Sequence, residues 1–331
     1  MRFPTFLARA GLLGALAASL VGTAAPALAQ PAFPSQKPIT LVVPFAPGGG
    51  NDLLARSIAP KMSQILGQTI IVDNKPGAGG NVGTDFVAHA PGDGYTLVIA
   101  SSQVTMNPFL GIKVPFRIER DFEPVGLIAS VPIILVANND QPYRTLKEFI
   151  DYSREHPGKL SYSSPGTGTP QHLAGEVFAK LNHTELLHVP YRGTGPSITD
   201  LIGGQVQVSF ATYASAAQHI EAGKLRALGI AGAKRSALMP TLPTFAEAGL
   251  KGYDASLWYS LLAPAKTPRP VVDKLNAALI AALKSPEVAE QLTRQGFEAQ
   301  PSSPEELKAY LARELARWEK VINDNGIKVS L

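Results

Sequence analysis

The chain has 331 residues, of which 45% are hydrophobic and 17% are charged, and its formal net charge is +4. This composition is too apolar for a disordered chain, and a charge this small and scattered excludes a nucleic-acid binder. The chain has no cysteine, which excludes disulfides, thiolate catalysis, iron–sulfur clusters and cysteine-ligated zinc.

Residues 1–29 are predicted to form a secretory signal peptide. Arg2 and Arg9 supply positive charge, and the stretch 10–25 that follows is apolar or small and uncharged. The Ala-Leu-Ala step at 27–29, with a small residue at its first and third positions, then favours cleavage after Ala29. The uncharged stretch is short for a membrane span of about 20 residues. We therefore expect the protein to be exported and cleaved, leaving a chain that begins at residue 30.

Strands and helices alternate in the first third of the mature chain. Strands are predicted at 39–44, 69–72 and 95–100, with helices at 51–66 and 83–90 between them. The first helix has apolar residues at helical spacing and ends before a glycine. Alternation of this kind predicts a parallel α/β sheet.

Two closely spaced strands, at 125–128 and 132–137, leave no room for a helix and introduce a second α/β series. The further elements predicted in this series are helices at 145–156, 171–181, 196–202 and 214–222, and strands at 160–162, 186–189, 206–210 and 225–230. An extended segment at 255–263 and helices at 270–283, 286–295 and 304–323 close the chain.

Two α/β lobes are therefore predicted, with the second inserted into the first. Lobe 1 comprises residues 30–130 and 253–331, and lobe 2 comprises residues 131–252. The chain is expected to cross between the lobes near Ser130 and near Gly252. Folds of this class bind ligands in a cleft at the carboxyl ends of their strands, and two crossing segments form a natural hinge.

Glycine-rich turns join several strands to the helices that follow. The turn 44–52 contains Gly48, Gly49 and Gly50, and the turn 74–83 contains four more glycines. Glycine lets a ligand approach the backbone closely, and free N–H groups at a helix N-terminus attract an anion. The second turn lacks the lysine of a P-loop and the third glycine of a dinucleotide fingerprint. A tight turn without a ligand remains the alternative for each turn.

Three further turns are rich in hydroxyl and N–H donors and poor in carboxylates. They are the segments 101–103, 163–172 and 191–196. Together with the glycine turns they predict a site for a small anion, with donors from both lobes. His172 is either a ligand donor or a histidine that caps a helix. Trp258 and Tyr259 either line the cleft or fill the core, and the core is favoured.

No catalytic, metal or cofactor site is expected. The chain has no Gly-x-Ser-x-Gly nucleophile elbow and no His-Glu-x-x-His zinc motif. A hydrolase would need a nucleophile–base pair, which the sequence does not indicate, so an enzyme is the less favoured alternative.

Nearly the whole mature chain resembles the tripartite tricarboxylate transporter substrate-binding family, the Bug receptors. The matching motifs follow one another in order as PITLVVPFAPGGGND (38–52), NKPGAGGNVG (74–83), PGDGYTL (91–97), HLAGE (172–176), YRG (191–193), DLIGGQV (200–206), AGKLRAL (222–228), PTFAEAG (243–249), WY (258–259) and APA (263–265).

The resemblance implies a type II periplasmic-binding-protein-like fold, with two α/β lobes, two crossover segments and a central cleft. It implies a receptor without catalytic activity that holds a small organic acid and serves membrane permease subunits. The ligand contacts implied in lobe 1 are Phe45, Pro47, Gly48, Gly49, Gly50, Asn51, Gly77, Ala78, Gly79, Ser101 and Ser102. Those implied in lobe 2 are Ser163, Ser164, Thr167, Gly168, Thr169 and His172.

Two positions depart from the family pattern, since Gln207 and Ala211 stand where acidic residues are common. If Ala211 borders the cleft, an ammonium group finds no countercharge there. We therefore expect a dicarboxylate, or an aromatic or other monoacid, as the ligand. A monomer is expected, and a sensory receptor is the alternative to a transport receptor.

Overall fold

The alternating pattern forms two β-sheets that both carry helices. The computed structural model describes residues 33–232, 234–236, 239–251, 253, 255–324 and 326–328. The predicted signal peptide and Gly252, near the second predicted crossing, lie outside the described residues. Within the described ranges, no helix is long and apolar enough to cross a membrane.

The strands in chain order are β1 Ile39–Val43, β2 Ile70–Asn74, β3 Thr96–Ser101, β4 Phe122–Val131, β5 Ile133–Asn138, β6 Leu160–Ser164, β7 Leu186–Pro190, β8 Val208–Thr212, β9 Leu225–Ile230, β10 Leu257–Pro264 and β11 Glu298–Ala299. The helices are α1 Gly50–Leu66, α2 Asn81–Ala88, α3 Gln103–Met106, α4 Ile118–Asp121, α5 Leu146–Glu155, α6 Pro170–Leu181, α7 Thr194–Ile202, α8 Tyr213–Glu221, α9 Arg269–Lys284, α10 Pro286–Arg294 and α11 Pro304–Asp324.

The two sheets share the arrangement of their three parallel strands. The first has the order β2-β1-β3-β10-β4-β11 and the second has the order β7-β6-β8-β5-β9. In each sheet three neighbouring strands are parallel, namely β2-β1-β3 and β7-β6-β8, and a strand from elsewhere in the chain runs antiparallel beside them. The turns that leave the parallel strands of one sheet therefore gather at one edge of that sheet.

The chain passes between the sheets twice. It leaves the first sheet at Val131 and enters the second at Ile133, then leaves the second at Ile230 and returns to the first at Leu257. The predicted lobe boundary at 130/131 lies one residue before the end of β4, and the boundary at 252/253 falls within the second connection. Both boundaries stay a prediction.

Strand β3 shows how the first sheet is stabilised. Leu97 and Ile99 pack into one apolar cluster and Val98 and Ala100 into another, because successive side chains point to opposite faces. All four are at most 1% exposed. Burying each of the larger side chains contributes about 1.5–3 kcal/mol. A strand covered on both faces is typical of a parallel sheet flanked by helices, and it gives the turns at its end a rigid base.

Candidate functional site

The first glycine turn, between β1 and α1, is held in place by Asp52. The carboxylate of Asp52 accepts hydrogen bonds from the backbone N–H of Gly48 at 3.0 Å, from Asn74 Nδ2 at 3.0 Å and from Arg56 Nε at 3.0 Å. Burial alone raises the pKa of Asp52, but these hydrogen bonds outweigh it and the pKa lies below its ordinary value. Asp52 therefore stays anionic and shapes the turn.

The N-terminus of α1 presents its N–H groups without a side-chain cap. The N-cap residue is Gly49, which has no side chain to accept a hydrogen bond. The amide of Asn51 is committed elsewhere, since Asn51 Nδ2 donates to the carbonyl of Ile99 at 2.9 Å. The first turn of α1 is thus a helix N-terminus with free donors and partial positive charge.

The second glycine turn, at 77–80, brings the two lobes into close contact. Gly79 has a φ of +61°, and a Cβ atom there would overlap the carbonyl oxygen of Thr167 in the second lobe. Gly166 lies in the same contact, because a Cβ on it would stand 3.6 Å from the Cα of Gly79. Only backbone fits between these two turns.

The hydroxyl groups of the corresponding lobe 2 turn are bonded within that lobe. Ser163 Oγ accepts from Ser197 Oγ at 2.7 Å. Thr169 caps α6, since its Oγ1 accepts from the backbone N–H of His172 at 3.3 Å and donates to the carbonyl of Gly166 at 2.7 Å. His172 Nδ1 in turn accepts from the N–H of Gly168 at 3.2 Å. These bonds fix the shape of the turn.

A buried polar network supports this turn from below. The rings of His172 and His188 stack with centroids 3.9 Å apart, and His188 Nε2 is hydrogen-bonded to Ser164 Oγ at 2.7 Å. Tyr162 donates its hydroxyl to Glu176 Oε1 at 2.7 Å, and His172 Nε2 lies 3.6 Å from that oxygen.

Burial and the contacts within this network both shift the pKa values of its members. Burial, reinforced by the nearby His172, lowers the pKa of His188 to about 3. Burial alone raises the pKa of Glu176. The contacts with His172 and with the hydroxyl of Tyr162 lower it by more, so the pKa lies below its ordinary value. Burial also raises the pKa of Tyr162. His188 is therefore neutral at neutral pH, and Glu176 is ionised.

Two cavities lie where the turns of the lobes meet. The inner cavity has a volume of about 10 Å³ and is lined by Phe45, Gly49, Gly50, Asn51, Ser101, Pro165, Gln171, Thr194, Leu257 and Tyr259. The outer cavity has a volume of about 300 Å³ and is lined by Phe45, Gly77, Ala78, Gly79, Gly80, Asn81, Ile112, Lys113, Pro165, Gly166, Thr167, Pro190, Tyr191 and Arg192. Phe45 and Pro165 line both, so the two cavities are neighbours.

The predicted contacts divide into residues that line these cavities and residues that lie behind them. Those that line a cavity are Phe45, Gly49, Gly50, Asn51, Ser101, Gly77, Ala78, Gly79 and Thr167. Those that line neither are Pro47, Gly48, Ser102, Ser163, Ser164, Gly168, Thr169, His172 and Ala211. Their contact with a ligand stays a prediction.

Ala211 lies in the interior of lobe 2, not at either cavity. It is fully buried in an apolar cluster that includes Ile134, and Gln207 accepts hydrogen bonds from Ser161. Since Ala211 lines neither cavity, the inference from positions 207 and 211 to the charge of a ligand stays a prediction. The cavity linings do bear on that charge, since among the described residues neither lining contains an Asp or a Glu.

Sequence reasoning placed Gln171 and Thr194 in donor-rich turns without naming them as ligand contacts, and it favoured the core for Tyr259. All three line the inner cavity. Tyr259 is 1% exposed, and its hydroxyl forms no hydrogen bond with the part of the chain that the structure describes. Burial raises its pKa, so the hydroxyl keeps its proton. Strand alternation was the available signal: Trp258 packs in the core and donates to Glu314 at 3.0 Å, so Tyr259 faces the other way.

No group of three or more His, Cys, Asp or Glu side chains in the described ranges is placed to hold a metal ion.

Comparison with known proteins identifies the family. The model of the tripartite tricarboxylate transporter family receptor matches residues 54–327. A UPF0065 protein from the tcbD–tcbE intergenic region of Pseudomonas sp. strain P51 is 41% identical over 317 residues, which cover 96% of this chain and 94% of the relative.

Solved structures agree with this match. The periplasmic binding protein BugD is 36% identical with a TM-score of 0.86, over 88% of this chain and 99% of BugD. The R. palustris protein Rpa4515, solved with adipate, is 35% identical with a TM-score of 0.86, over 90% of this chain and 99% of Rpa4515. The predicted two-lobed α/β fold is confirmed. The chain belongs to the tripartite tricarboxylate transporter receptor family and is a solute-binding receptor of that family.

Proposed function

We propose that this receptor captures a small carboxylate in the periplasm by closing its two lobes, and delivers it to a permease of the tripartite tricarboxylate type. It does so as a monomer and without a catalytic step. The observation that carries this proposal is that turns from both lobes line one cavity, with Gly77–Gly79 on one side and 165–167 on the other. The adipate bound by the R. palustris relative supports a carboxylate as the ligand class.

The donors around the cavities suit an anion. Burying a carboxylate is costly unless its oxygens are hydrogen-bonded. The free N–H groups of the first turn of α1 and the hydroxyl of Tyr259 supply donors, and a Cβ on Gly50 would overlap that hydroxyl oxygen. A helix N-terminus favours negative charge by about 0.3–1 kcal/mol. With no carboxylate in either lining among the described residues, nothing there repels the ligand.

Closure and binding are coupled because the donors belong to different lobes. The two connections, 131–133 and 230–257, are the segments about which the lobes can move. A ligand that bonds to both lobes has higher affinity for the closed form and shifts the population toward it. The permease then recognises the closed form and accepts the ligand from it.

A thermal-shift panel of organic acids on the purified protein, followed by calorimetry, tests the proposal. A ligand at about 100 times its Kd stabilises the folded protein by about 2.7 kcal/mol. We expect at least one small carboxylate to raise the Tm, and its uncharged amide to leave it unchanged. The proposal is wrong if no carboxylate binds, or if the amide binds equally well.

The transport role needs a cellular test. A strain that lacks the receptor is expected to lose uptake of the radiolabelled ligand and to regain it with the intact gene. Uptake that is unchanged, together with lost induction of transport genes, contradicts a transport role and favours sensing.

A further inference from the structure

The outer cavity carries positive charge from both lobes. Lys113 belongs to the lobe 1 segment between α3 and α4, and Arg192 belongs to the lobe 2 turn between β7 and α7. Both side chains are exposed, whereas Gly79, Asn81 and Gly166 in the same lining are buried. The two cations therefore lie at the solvent end of the cavity.

Among the described residues, these two cations have no counterion. Within the described ranges, no carboxylate lies within ion-pair distance of Lys113 or Arg192, and the cavity lining contains none. Some other surface cations are paired, as Arg56 is with Asp52 at 3.0 Å and Lys147 with Asp151 at 2.6 Å. Like charges facing one cavity repel each other, and an anionic group between them removes that repulsion.

In this arrangement of the lobes, Lys113 and Arg192 line the same cavity. The carbonyl oxygen of Arg192 accepts a hydrogen bond from the backbone N–H of Ala46 at 3.2 Å, so the Arg192 turn is attached to lobe 1 in this arrangement. If the lobes separate, that bond breaks and Lys113 and Arg192 no longer line a common cavity. A group held by both cations therefore favours the closed form.

A neutral donor lies deeper in the same cavity. Asn81 is 5% exposed and its Oδ1 accepts from Asn107 Nδ2 at 3.1 Å. Its own Nδ2 forms no hydrogen bond with any residue that the structure describes, and Asn81 lines the cavity. The cavity thus combines a neutral donor at depth with charged donors at its mouth.

We propose that Lys113 and Arg192 form a second anion subsite, which takes the outer carboxylate of a dicarboxylate whose inner carboxylate meets the glycine turns. This proposal rests on the proposed function and narrows it to ligands with two negative groups. The cavity volume of about 300 Å³ is at the lower end of the range for small-molecule pockets, about 300–1,000 Å³. A short diacid fits that volume.

Calorimetry at low ionic strength tests the subsite with succinate, adipate and phthalate, each beside its monomethyl ester. The ester keeps the length and loses one charge. The variants are Arg192→Gln, Lys113→Gln and the double variant. Lys159→Gln and Lys308→Gln are matched controls, since both lysines are exposed, lack an ion pair within the described residues and line neither cavity.

We expect the unmodified protein to bind at least one diacid more tightly than its monoester. Each single variant should reduce that preference about two- to fivefold, the range for one partly exposed ion pair, and the double variant should reduce it further. Monoester affinity and the two controls should not change. The circular dichroism spectrum of each variant and its midpoint of unfolding verify that the exposed substitutions leave the fold intact.

Three outcomes overturn the subsite. The first is that the double variant still prefers the diacid over its monoester. The second is that the variants lose as much affinity for the monoester as for the diacid. Monoacids that bind where no diacid binds overturn the subsite and leave the proposed function in place. If no carboxylate binds at all, both proposals fail.

Discussion

The backbone N–H of Ala46 donates a 3.2 Å hydrogen bond to the carbonyl oxygen of Arg192 and thereby joins the first glycine turn of one lobe to a turn of the other. Glycine makes this approach possible, since a Cβ on Gly195 would stand 2.9 Å from the carbonyl oxygen of Pro47. Side chains at these contacts are expected to hold the lobes apart.

The first prediction concerns Gly79, where an added methyl group overlaps the Thr167 carbonyl across the lobe contact. We expect Gly79→Ala to weaken ligand binding at least tenfold, because closure is blocked. Gly67→Ala is the matched control: Gly67 has a similar φ of +66° and nothing within 4 Å of an added Cβ. Both variants should lose about 1–2 kcal/mol of stability through backbone strain.

Calorimetry and urea unfolding separate the two effects. Equal ligand affinity in Gly79→Ala and Gly67→Ala contradicts the idea that this contact forms on closure.

The second prediction concerns the hydroxyl of Tyr259 in the inner cavity. We expect Tyr259→Phe to weaken carboxylate binding by about 1 kcal/mol, the usual contribution of one hydrogen bond, without loss of stability. The control is Tyr162→Phe, which removes a hydroxyl bonded to Glu176 and lines neither cavity. That variant should lose stability instead. A Tyr259→Phe protein that binds as tightly as the parent removes Tyr259 from the site.

The third prediction concerns Thr169, whose hydroxyl caps α6. We expect Thr169→Ala to lower the free energy of unfolding by about 1 kcal/mol, the usual cost of losing an N-cap, and Thr169→Ser to restore it. We also expect Thr169→Ala to weaken ligand binding by about 1 kcal/mol, the usual contribution of one hydrogen bond. Denaturant curves and calorimetry on the same samples show whether Thr169 acts on stability, on ligand affinity or on both. An Ala variant of unchanged stability is incompatible with the capping role.

The fourth prediction concerns pH. His188 has a pKa of about 3 in the folded chain, against an ordinary value near 6.5, so below pH 6.5 the unfolded chain binds a proton that the folded chain does not. Stability is therefore complete above pH 6.5 and falls as pH falls toward 3. The lowered pKa of Glu176 acts in the same direction below its ordinary value of 4.5. We expect a loss of roughly 1 kcal/mol per pH unit.

His188→Gln should flatten this dependence between pH 6.5 and 4.5, as measured by urea unfolding at several pH values. The groups that face His188 are His172, Tyr162 and Ser164, with Glu176 beyond them. Parallel pH profiles for the variant and the parent rule out His188 as the source.

Most of the fold was predictable because the strands and helices carry strong periodic signals. The long helix α1 was expected at 51–66 and spans Gly50–Leu66, and strand β9 was expected at 225–230 and spans Leu225–Ile230. Strand β4 is longer than predicted, since it begins at Phe122 and includes Pro124. Proline is tolerated there because β11 pairs with β4 only at Ala129 and Ser130, so β4 is an edge strand at Pro124.

The short helices α3 and α4 were not predicted. Each spans four residues, which is too short for a periodic signal. Their positions depend on tertiary packing, as Met106 shows by contacting the C-terminal helix cluster that contains Trp318.

The candidate site was only partly predictable, because a turn reveals its donors but not its neighbours. The glycine turns were recognised, yet Lys113 lies far in sequence from Arg192 and nothing in the sequence pairs them. For the hydroxyl-rich segment 163–172, by contrast, the sequence predicted more ligand contacts than the cavity linings contain. Most of its polar side chains bond to their own lobe, a use that sequence alone does not distinguish from ligand binding.

The central claim is that facing turns of the two lobes jointly hold a carboxylate, and a crystal structure with the tightest-binding acid of the panel tests it most directly. The account predicts carboxylate oxygens within hydrogen-bond distance of backbone N–H groups at the N-terminus of α1 or in the 77–80 turn, with 165–167 closing the opposite side. Ligand density on the outer surface of one lobe, away from both sets of turns, contradicts the account.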